Sequence, residues 1–546
     1  MIDSAYSYLY DGRMKPWTSV NALYQIYPRS FFDTNDDGVG DLGGIIEKLS
    51  YLKGEPDSLG VDAIWISPIY PSPMADFGYD VSDYCDIHPI FGDLNQFKML
   101  LEKAHARGIK VMMDFVPNHT SDQHPWFQEA LRDTHSPKRD YYVWRDPKPD
   151  GSPPNNWISI FGGSMWQRDD ISGQYYLHSF LKEQPDLNWD NSAVREEMKE
   201  VLRFWLDMGV DGFRADAVWH MAKDDQLRDN PTNPDFVGGA DDYGSLIHTR
   251  SRYGPKLFTY LKELANVVGS YDDRVIIFEN YPDPALGDVV EQYRQFYDVH
   301  HGVAMPFNFE AMFLPWSATA FGDFMQRFQA ILRPGDTPVY CLSNHDQSRI
   351  VTRFGSEQAK LMAMFLLTQP GLPTMYYGDE IGMADGHILP HQVQDPSAKS
   401  NPMGGRDPER TPMQWSAGKH AGFTNHIPWL PVAQNATNNN VEVENQNGDS
   451  FLALYRTLLG LRARDSTFGK GVVTHIKSDN DEILAYECRS DKGRYVVILN
   501  FSDHLRQVFA SHTGEVVCCT QPEREPRLEK NGEVKLEAYE GIIIRF

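Results

Sequence analysis

The stretch DGFRADAV, residues 211–218, joins a short apolar run to an acidic residue, Asp216, near its downstream end. Runs of the same β type recur along the chain, with segments of helical period between them. Eight parallel strands that alternate with helices close a barrel. The sequence therefore predicts an α/β fold, a (β/α)8 TIM barrel. The eight runs are NALYQIYP (21–28), VDAIWISP (61–68), IKVMMDFV (109–116), DGFRADAV (211–218), RVIIFE (274–279), VAMPFNF (303–309), TPVYCLSN (337–344) and PTMYYGDE (373–380).

Two departures from this pattern predict further domains. The interval 119–191 is too long for an ordinary βα loop and is rich in Pro, Gly, Trp and Asp, which indicates a subdomain inserted after the third strand. Residues 465–546 carry short alternating segments separated by turn residues, which predict an all-β carboxyl-terminal domain of the β-sandwich type. The barrel then comprises 1–118 and 192–464. A second excursion, 383–428, is expected to form another rim.

The charge balance limits the partners. The chain has 546 residues, with 51 Lys plus Arg against 76 Asp plus Glu, which gives a net charge of −25. So strong a negative charge argues against nucleic acid and anionic membranes as partners, whereas a neutral substrate is unaffected. The acidity by itself predicts only that a large protein stays in solution.

Cysteine usage and the amino terminus suggest a compartment. The cysteines are five in number, show no CxxC spacing and include an adjacent pair, so we expect free thiols. The first residues lack a basic segment followed by an apolar run, and no apolar stretch reaches the ~18 residues that span a bilayer. We expect a cytoplasmic protein without a membrane segment, either a monomer or a homodimer.

Three acidic residues, Asp216, Glu279 and Asp346, each follow a short apolar run. Side chains at the carboxyl ends of barrel strands point into the active-site mouth. Cleaving an acetal needs one group to attack or stabilise the sugar cation and another to protonate the leaving oxygen. A single such acid is more often a helix cap or a surface charge. Three together, beside basic residues, favour catalysis on glycosides.

Five segments, in order along the chain, resemble those of a known family. DFVPNH (114–119), GFRAD (212–216), the strand that ends at Glu279 and SNHD (343–346) are similar to the four conserved segments of glycoside hydrolase family 13, the α-amylase family. QPDLN (184–188) is similar to the fifth segment of its oligo-1,6-glucosidase and α-glucosidase branch. The resemblance implies the barrel, the inserted subdomain and the carboxyl-terminal domain.

The resemblance also implies catalytic roles. Asp216 would be the nucleophile, Glu279 the general acid and base, and Asp346 the carboxylate that stabilises the transition state. Two carboxyl groups about 5 Å apart fit double displacement with retention. Arg214 stands two residues before Asp216, on the same strand face, and can keep the nucleophile ionised. Phe278 departs from the family pattern, in which a smaller residue often precedes the acid.

A blind pocket is implied by a second set of residues. Asp76 and Tyr79, in ADFGYDVSDY, match the family's pocket floor, where an acid binds the terminal sugar's hydroxyls and an aromatic ring stacks on its apolar face. Arg406 would pair with Asp76 and close the pocket, with Arg410 in the same loop as the alternative. A closed pocket accepts a non-reducing end and excludes the middle of a polymer, so we expect exo-action.

Five further residues are implied around this subsite. His119 and His345 would complete it beside the pocket floor. Phe161, Phe180 and Gln184 match residues at the pocket entrance of relatives, with packing of the inserted subdomain as the alternative role for Phe161.

An oxygen-rich loop, DTNDDGVGD, predicts a metal site. Carboxylate and carbonyl oxygens at alternating positions are ligands that Ca²⁺ prefers, and an EF-hand is excluded because the twelfth position carries glycine. Resemblance to the metal loop of bacterial and insect α-glucosidases favours a structural Ca²⁺, with Mg²⁺ or a solvated acidic turn as alternatives. No organic cofactor and no catalytic transition metal are expected. The implied ligands are Asp33, Asn35, Asp37, the Val39 carbonyl and Asp41.

These patterns predict a retaining exo-α-glucosidase that acts on a small oligosaccharide or disaccharide such as maltose, maltooligosaccharides or sucrose. Ala217 follows the nucleophile, where α-1,6-acting relatives tend to carry Val, so we expect α-1,4 preference with α-1,6 activity as an alternative. A transglycosylase or isomerase on the same scaffold, forming isomerised sucrose or trehalose, is a rival. A non-catalytic binding relative fits less well, because this chain keeps all three acids.

Overall fold

The computed structural model describes residues 14–400, 405–509, 514–521 and 533–546. Eight parallel strands form a closed barrel in which each strand pairs with the next along the chain and the eighth pairs with the first. The predicted barrel is confirmed, and seven of the eight strands lie wholly inside their predicted runs while the eighth begins one residue earlier. The strands are β1 (Leu23–Ile26), β2 (Ala63–Ile66), β3 (Lys110–Phe115), β4 (Gly212–Ala215), β5 (Val275–Phe278), β6 (Ala304–Asn308), β7 (Val339–Cys341) and β8 (Leu372–Tyr376).

Helices surround the barrel, and their limits follow local chemistry. In helix Ser192–Met208 the Asn191 side chain caps the first turn, apolar residues at helical spacing are buried, and Gly209 ends the helix with φ 111°. That left-handed conformation favours glycine. The α-helices are Leu42–Leu52, Leu94–Ala106, Pro125–Arg132, Ser192–Met208, Leu257–Val268, Val289–Tyr297, Ala318–Gln329, Ile350–Phe354, Ser356–Thr368, Pro396–Ser400, Val441–Glu444, Phe451–Arg464 and Thr467–Lys470.

The insertion between β3 and helix Ser192–Met208 has its own small sheet. Its antiparallel strands are Trp144–Arg145, Tyr175–Leu177 and Trp166–Arg168, with Tyr175–Leu177 in the centre. A separate apolar cluster, which includes Trp157 and Met165, packs within the insertion. This small core holds the insertion together over the barrel mouth, where its loops reach the candidate site.

The carboxyl-terminal region is built of antiparallel strands. A five-stranded sheet has the order Val472–Ile476, Ile483–Arg489, Arg494–Asn500, Gly541–Arg545 and Glu515–Cys519. A second sheet pairs Arg506–Phe509 with Glu533–Leu536. Apolar side chains of both sheets share one buried cluster, so the two sheets pack as a sandwich. The domain limits at residues 118, 191 and 464 stay predictions.

All five cysteines have free thiols, as predicted. Cys85 is half-buried, and the other four are buried. Across the described residues, no helix combines the length and the hydropathy of a membrane span.

Candidate active site

A pocket of about 1100 Å³ opens where the barrel strands end. Twelve of the thirteen side chains predicted to catalyse or to bind substrate line this pocket, and Arg214 lies beneath its floor with its side chain 1% exposed. The structure thus brings together residues from eight separate stretches of the sequence. The lining residues among those predicted are Asp76, Tyr79, His119, Phe161, Phe180, Gln184, Asp216, Ala217, Glu279, His345, Asp346 and Arg406.

Arg214 joins three buried carboxyl groups beneath the pocket. Its Nη1 lies 2.6 Å from Oδ1 of Asp216 and 2.8 Å from Oδ1 of Asp114, while its Nη2 lies 2.8 Å from Oε1 of Glu279. Arg214 and Asp216 point to one face of the chain because side chains alternate along a strand. Asp114, at the end of β3, was not predicted to belong to the site. Burial raises its pKa to about 7, although Arg214 opposes that shift.

Glu279 is 4% exposed and follows β5 directly. Burial raises the pKa of Glu279 well above its usual range; the charges of Asp216 and Asp346 act in the same direction, and Arg214 opposes them. A carboxyl group in this state retains a proton near neutrality and can donate it. Oε2 of Glu279 accepts a hydrogen bond of 2.7 Å from the Ala217 amide, which orients the carboxyl group.

Asp346 has the opposite electrostatic environment. Burial disfavours its charge, yet His345 and the guanidinium groups of Arg406 and Arg410 hold the pKa of Asp346 well below its usual range. The two guanidinium groups lie 3.2 Å and 2.9 Å from Oδ1 of Asp346. Asp346 is therefore held ionised while Glu279 is held protonated, so two acids of one pocket keep different charge states.

Arg406 closes one end of the pocket. Its Nη2 lies 2.7 Å from Oδ1 of Asp76, as predicted for this pair. Arg410 instead donates to Asp346 and to the His345 carbonyl, so the two arginines hold different positions and are not alternatives for one role. Asp395, a fully buried acid that the sequence gave no reason to select, accepts from the Arg406 backbone amide, Nε and Nη2 over 2.6–2.9 Å.

Hydrogen bonds position the aromatic floor. Oη of Tyr79 lies 2.5 Å from Nε2 of His345, and the two rings are stacked with an interplanar angle of 6°. Gln25 lies 2.8 Å from Nδ1 of His345, and burial lowers the pKa of that imidazole, although the charge of Asp346 opposes the shift. On the opposite wall, Gln184 bridges Asp76 at 3.3 Å and Nε2 of His119 at 3.1 Å.

Aromatic rings border the entrance. Phe180 packs against His119 and Phe161, with ring centroids 5.1 Å and 6.1 Å apart. The guanidinium carbon of Arg406 lies 5.5 Å from the Phe161 ring centroid. Phe161 therefore belongs to the pocket and contacts the residue that closes it.

Several lining residues were not predicted. Trp219 and Tyr281, with ring centroids 5.2 Å apart, stand three residues after Asp216 and two residues after Glu279, so proximity to the acids was a usable signal. Gln347 directly follows Asp346 and carried the same signal. Residues 236 and 241–244, together with Arg252, gave no such signal because they lie on loops that approach the pocket only in the folded chain.

The predicted metal loop is compact and oxygen-rich. Asp33 accepts from the amides of Asn35, Asp36 and Gly38 and from the Thr424 hydroxyl. The Asp41 side chain caps helix Leu42–Leu52. The donor set has the oxygen chemistry that Ca²⁺ takes. In the described part of the chain, however, no group of three or more His, Cys, Asp or Glu side chains is placed to hold a metal ion.

A barrel whose mouth brings Asp216, Glu279 and Asp346 into one pocket has the carboxyl groups that enzymes use to cleave glycosidic bonds. The chain belongs to the α-amylase family: residues 25–471 match the family described as "Alpha amylase, catalytic domain".

Individual relatives agree with that assignment. An oligo-1,6-glucosidase of Heyndrickxia coagulans is 38% identical over 533 residues, covering 90% of this chain and 93% of that protein. An alpha-glucosidase of Apis mellifera is 38% identical over 501 residues, covering 88% of this chain and 84% of that protein. The crystal structure of an alpha-glucosyl transfer enzyme, XgtA, is 37% identical with a TM-score of 0.90, covering 97% of this chain and all of that one. The chain is a glycoside hydrolase of the α-glucosidase type, as the sequence predicted.

Glu279→Gln tests the assignment of the proton donor. The glutamine side chain keeps an oxygen that can accept the hydrogen bond from the Ala217 backbone amide, but it cannot protonate a leaving oxygen. We expect maltose turnover to fall by about 10²–10⁴-fold, whereas 4-nitrophenyl α-glucoside, whose leaving group needs no proton, still gives a burst of 4-nitrophenol in stopped flow.

The pH profile supplies the control. Because the protonated form of Glu279 acts, wild-type kcat/KM is expected to be lost as pH rises through its elevated pKa, and this alkaline limb is absent in Glu279→Gln. Glu380 is a matched control, since burial raises its pKa to about 7 outside the pocket. An alkaline limb that disappears in Glu380→Gln and persists in Glu279→Gln would show that Glu279 is not the proton donor.

Proposed function

We propose that the protein is a retaining exo-α-glucosidase that releases glucose from the non-reducing end of short α-glucosides such as maltose, maltooligosaccharides or sucrose. The observation that carries this proposal is the bridge made by Arg406 between Asp76, Asp346 and Asp395, because it closes the pocket at one end. A sugar chain can enter such a pocket only by its end. The partner is then a small neutral oligosaccharide.

The chemistry proposed is double displacement. Oδ of Asp216 attacks the anomeric carbon while Glu279 gives its proton to the departing glycosidic oxygen, so the C–O bond breaks as the Asp216 ester forms. Glu279, now ionised, takes a proton from water, which attacks the anomeric carbon. The bond to Asp216 breaks, the carboxylate is restored and glucose leaves with retained configuration. The Asp346 carboxylate stabilises the oxocarbenium-like transition state through its charge and accepts hydrogen bonds from the sugar hydroxyls.

Exo-action is tested with a maltooligosaccharide whose non-reducing end carries an ethylidene block. The wild-type enzyme is expected to release glucose stepwise from the free oligosaccharide and to leave the blocked one intact, as measured by chromatography. Arg406→Ala opens the closed end, so the rate ratio of blocked to free substrate is expected to rise. A wild type that cleaves both substrates at similar rates would contradict the closed pocket.

The linkage preference is proposed from Ala217. This residue is buried beside the reacting groups, and its backbone has φ 48° and ψ 30°, the left-handed region. Alanine leaves room beside the scissile bond for an α-1,4-linked aglycone, which supports α-1,4 preference. The names of the relatives, oligo-1,6-glucosidase and alpha-glucosidase, leave the linkage open.

Ala217→Val is expected to lower maltose turnover relative to isomaltose. The shift is ~1–3 kcal/mol, or roughly tenfold to a hundredfold in the ratio of kcat/KM values. A β-branched residue in the left-handed region also strains the backbone, but that strain affects both substrates alike and leaves the ratio unchanged. Ala217→Gly, which relieves the backbone, is the control and is expected to keep the maltose preference. An unchanged ratio in the valine variant would refute the role of this position.

We also propose that loop 33–41 binds a structural Ca²⁺, with Mg²⁺ as the alternative, through the residues predicted from the sequence. A cation bound only by the folded state adds stability that grows with the logarithm of its concentration. EDTA is therefore expected to lower the melting temperature measured by calorimetry, and Asp37→Ala is expected to remove this effect. Asp36 is an acid in the same loop that is not a proposed ligand. The control variant Asp36→Asn is therefore expected to keep the EDTA effect on the melting temperature. Identical melting of wild type with and without EDTA would exclude the site.

Glucosyl transfer or sucrose isomerisation is the second candidate activity, because the matching XgtA structure is that of an alpha-glucosyl transfer enzyme. Hydrolysis and glucosyl transfer share the glycosyl-enzyme intermediate. They differ in whether water or a sugar hydroxyl attacks it. Chromatography of the products from sucrose and from concentrated maltose distinguishes them.

A monomer or homodimer in the cytoplasm remains the expected state.

A further inference from the structure

A second pocket, of about 520 Å³, shares no lining residue with the candidate active site. Three elements form its walls: residues 82–85 after β2, the start of helix Pro125–Arg132 in the insertion, and helix Ser192–Met208 of the barrel. The pocket therefore lies at the junction of the insertion and the barrel, and its volume suits a mono- or disaccharide-sized molecule. We call it the junction pocket.

His124 gives the junction pocket a fixed hydrogen-bond donor. Its side chain is 5% exposed, and Nδ1 accepts from the Trp126 amide, which caps the helix. Burial lowers the pKa of His124 to about 3, so the ring is neutral and Nε2 carries the hydrogen. In the described part of the chain Nε2 has no hydrogen-bond partner, although His124 lines the pocket.

Aromatic surface is also available in the junction pocket. Trp126 and Phe204 line it and are both half-buried, one from the insertion and the other from helix Ser192–Met208. Both residues keep exposed surface, although the Trp126 ring also contacts His124, with ring centroids 4.3 Å apart, and Lys138, whose Nζ lies 5.0 Å from the ring centroid. Rings presented in this way stack on the apolar C–H faces of sugars, as they do on other flat apolar surfaces.

Four acids and one arginine line the pocket, and two of these acids are paired with cations. Glu197 lies 3.2 Å from Nζ of Lys138, Glu200 lies 2.5 Å from Nη1 of Arg203, and Asp207 accepts from the Tyr271 hydroxyl at 2.7 Å. Among the described residues Asp83 and Asp207 have no paired cation, so the walls carry a net negative charge that disfavours an anionic ligand. The carboxylate oxygens still have lone pairs that accept hydrogen bonds from hydroxyl groups.

We propose that the junction pocket is an accessory binding site for a neutral sugar, separate from the catalytic pocket. A hydroxyl of the sugar accepts from Nε2 of His124, its C–H face stacks on Trp126, and other hydroxyls donate to the carboxylates of Glu197 and Glu200. A sugar bound there would hold the insertion, which forms part of the active-site entrance, against the barrel helix.

Cys85 provides a direct test, because it lines this pocket and the other four cysteines are buried. The full chain carrying Asp216→Ala is treated with iodoacetamide at mildly alkaline pH, since burial raises the pKa of Cys85 to about 11. Alkylation is followed by mass spectrometry with and without maltose, and Cys85→Ser assigns the modified residue. At maltose about ten times its Kd, alkylation is expected to slow about tenfold.

Three variants locate the bound sugar. Trp126→Ala is expected to abolish the protection, Trp126→Phe to retain most of it, and Phe313→Ala, which removes an exposed ring outside the pocket, to leave it unchanged. Alkylation that maltose does not slow, or protection that survives in Trp126→Ala, would overturn the proposal. Glucose release by the Asp216→Ala chain is assayed in parallel, so a wrong nucleophile assignment is recognised separately. Wild-type enzyme with glucose, which is not consumed, is the second probe.

Discussion

The contact of Arg214 with three carboxyl groups is the interaction on which the active site depends. A buried charge is costly unless it is paired, and Arg214, with its side chain 1% exposed, is paired with Asp114, Asp216 and Glu279. The barrel register creates this contact, since Asp114 of β3 stands directly beside Arg214 of β4. One cation cannot neutralise three buried anions, so the surplus negative charge favours protonation of the most desolvated acid.

The rest of the pocket divides into two ends with different electrostatics. At the closed end, Arg406 and Arg410 hold Asp346 ionised, and Asp395 fixes Arg406 through its backbone and side chain. At the other end, Glu279 faces fewer cations and stays protonated. The sugar that enters would meet a fixed charge beside its ring and a proton beside its leaving oxygen, which is the arrangement that acid-assisted displacement requires.

The sequence predicted what depends on local pattern. The strand runs are short and almost wholly apolar, and the helix stripes recur every 3.6 residues. Asp216 and Glu279 follow their strands directly and Asp346 lies five residues after β7, so the barrel and the convergence of these side chains were accessible. Asp395 and the loop around Tyr243 were missed because their positions depend on contacts between segments far apart in sequence. Arg406 and Arg410 were inseparable for the same reason, since only the folded loop directs one to Asp76. The left-handed backbone of Ala217 likewise follows from the tertiary packing after β4.

The most direct test of the central claim is to identify the residue that becomes covalently bound. With 5-fluoro-α-D-glucosyl fluoride, the good leaving group permits the first displacement, and the ring fluorine slows the hydrolysis of the ester that follows. Peptide mass spectrometry of the inactivated wild-type enzyme is predicted to find the fluoroglucosyl group on Asp216. A label on Glu279 or Asp346, or turnover that releases the fluorinated sugar with inverted configuration and leaves no label, would contradict the account.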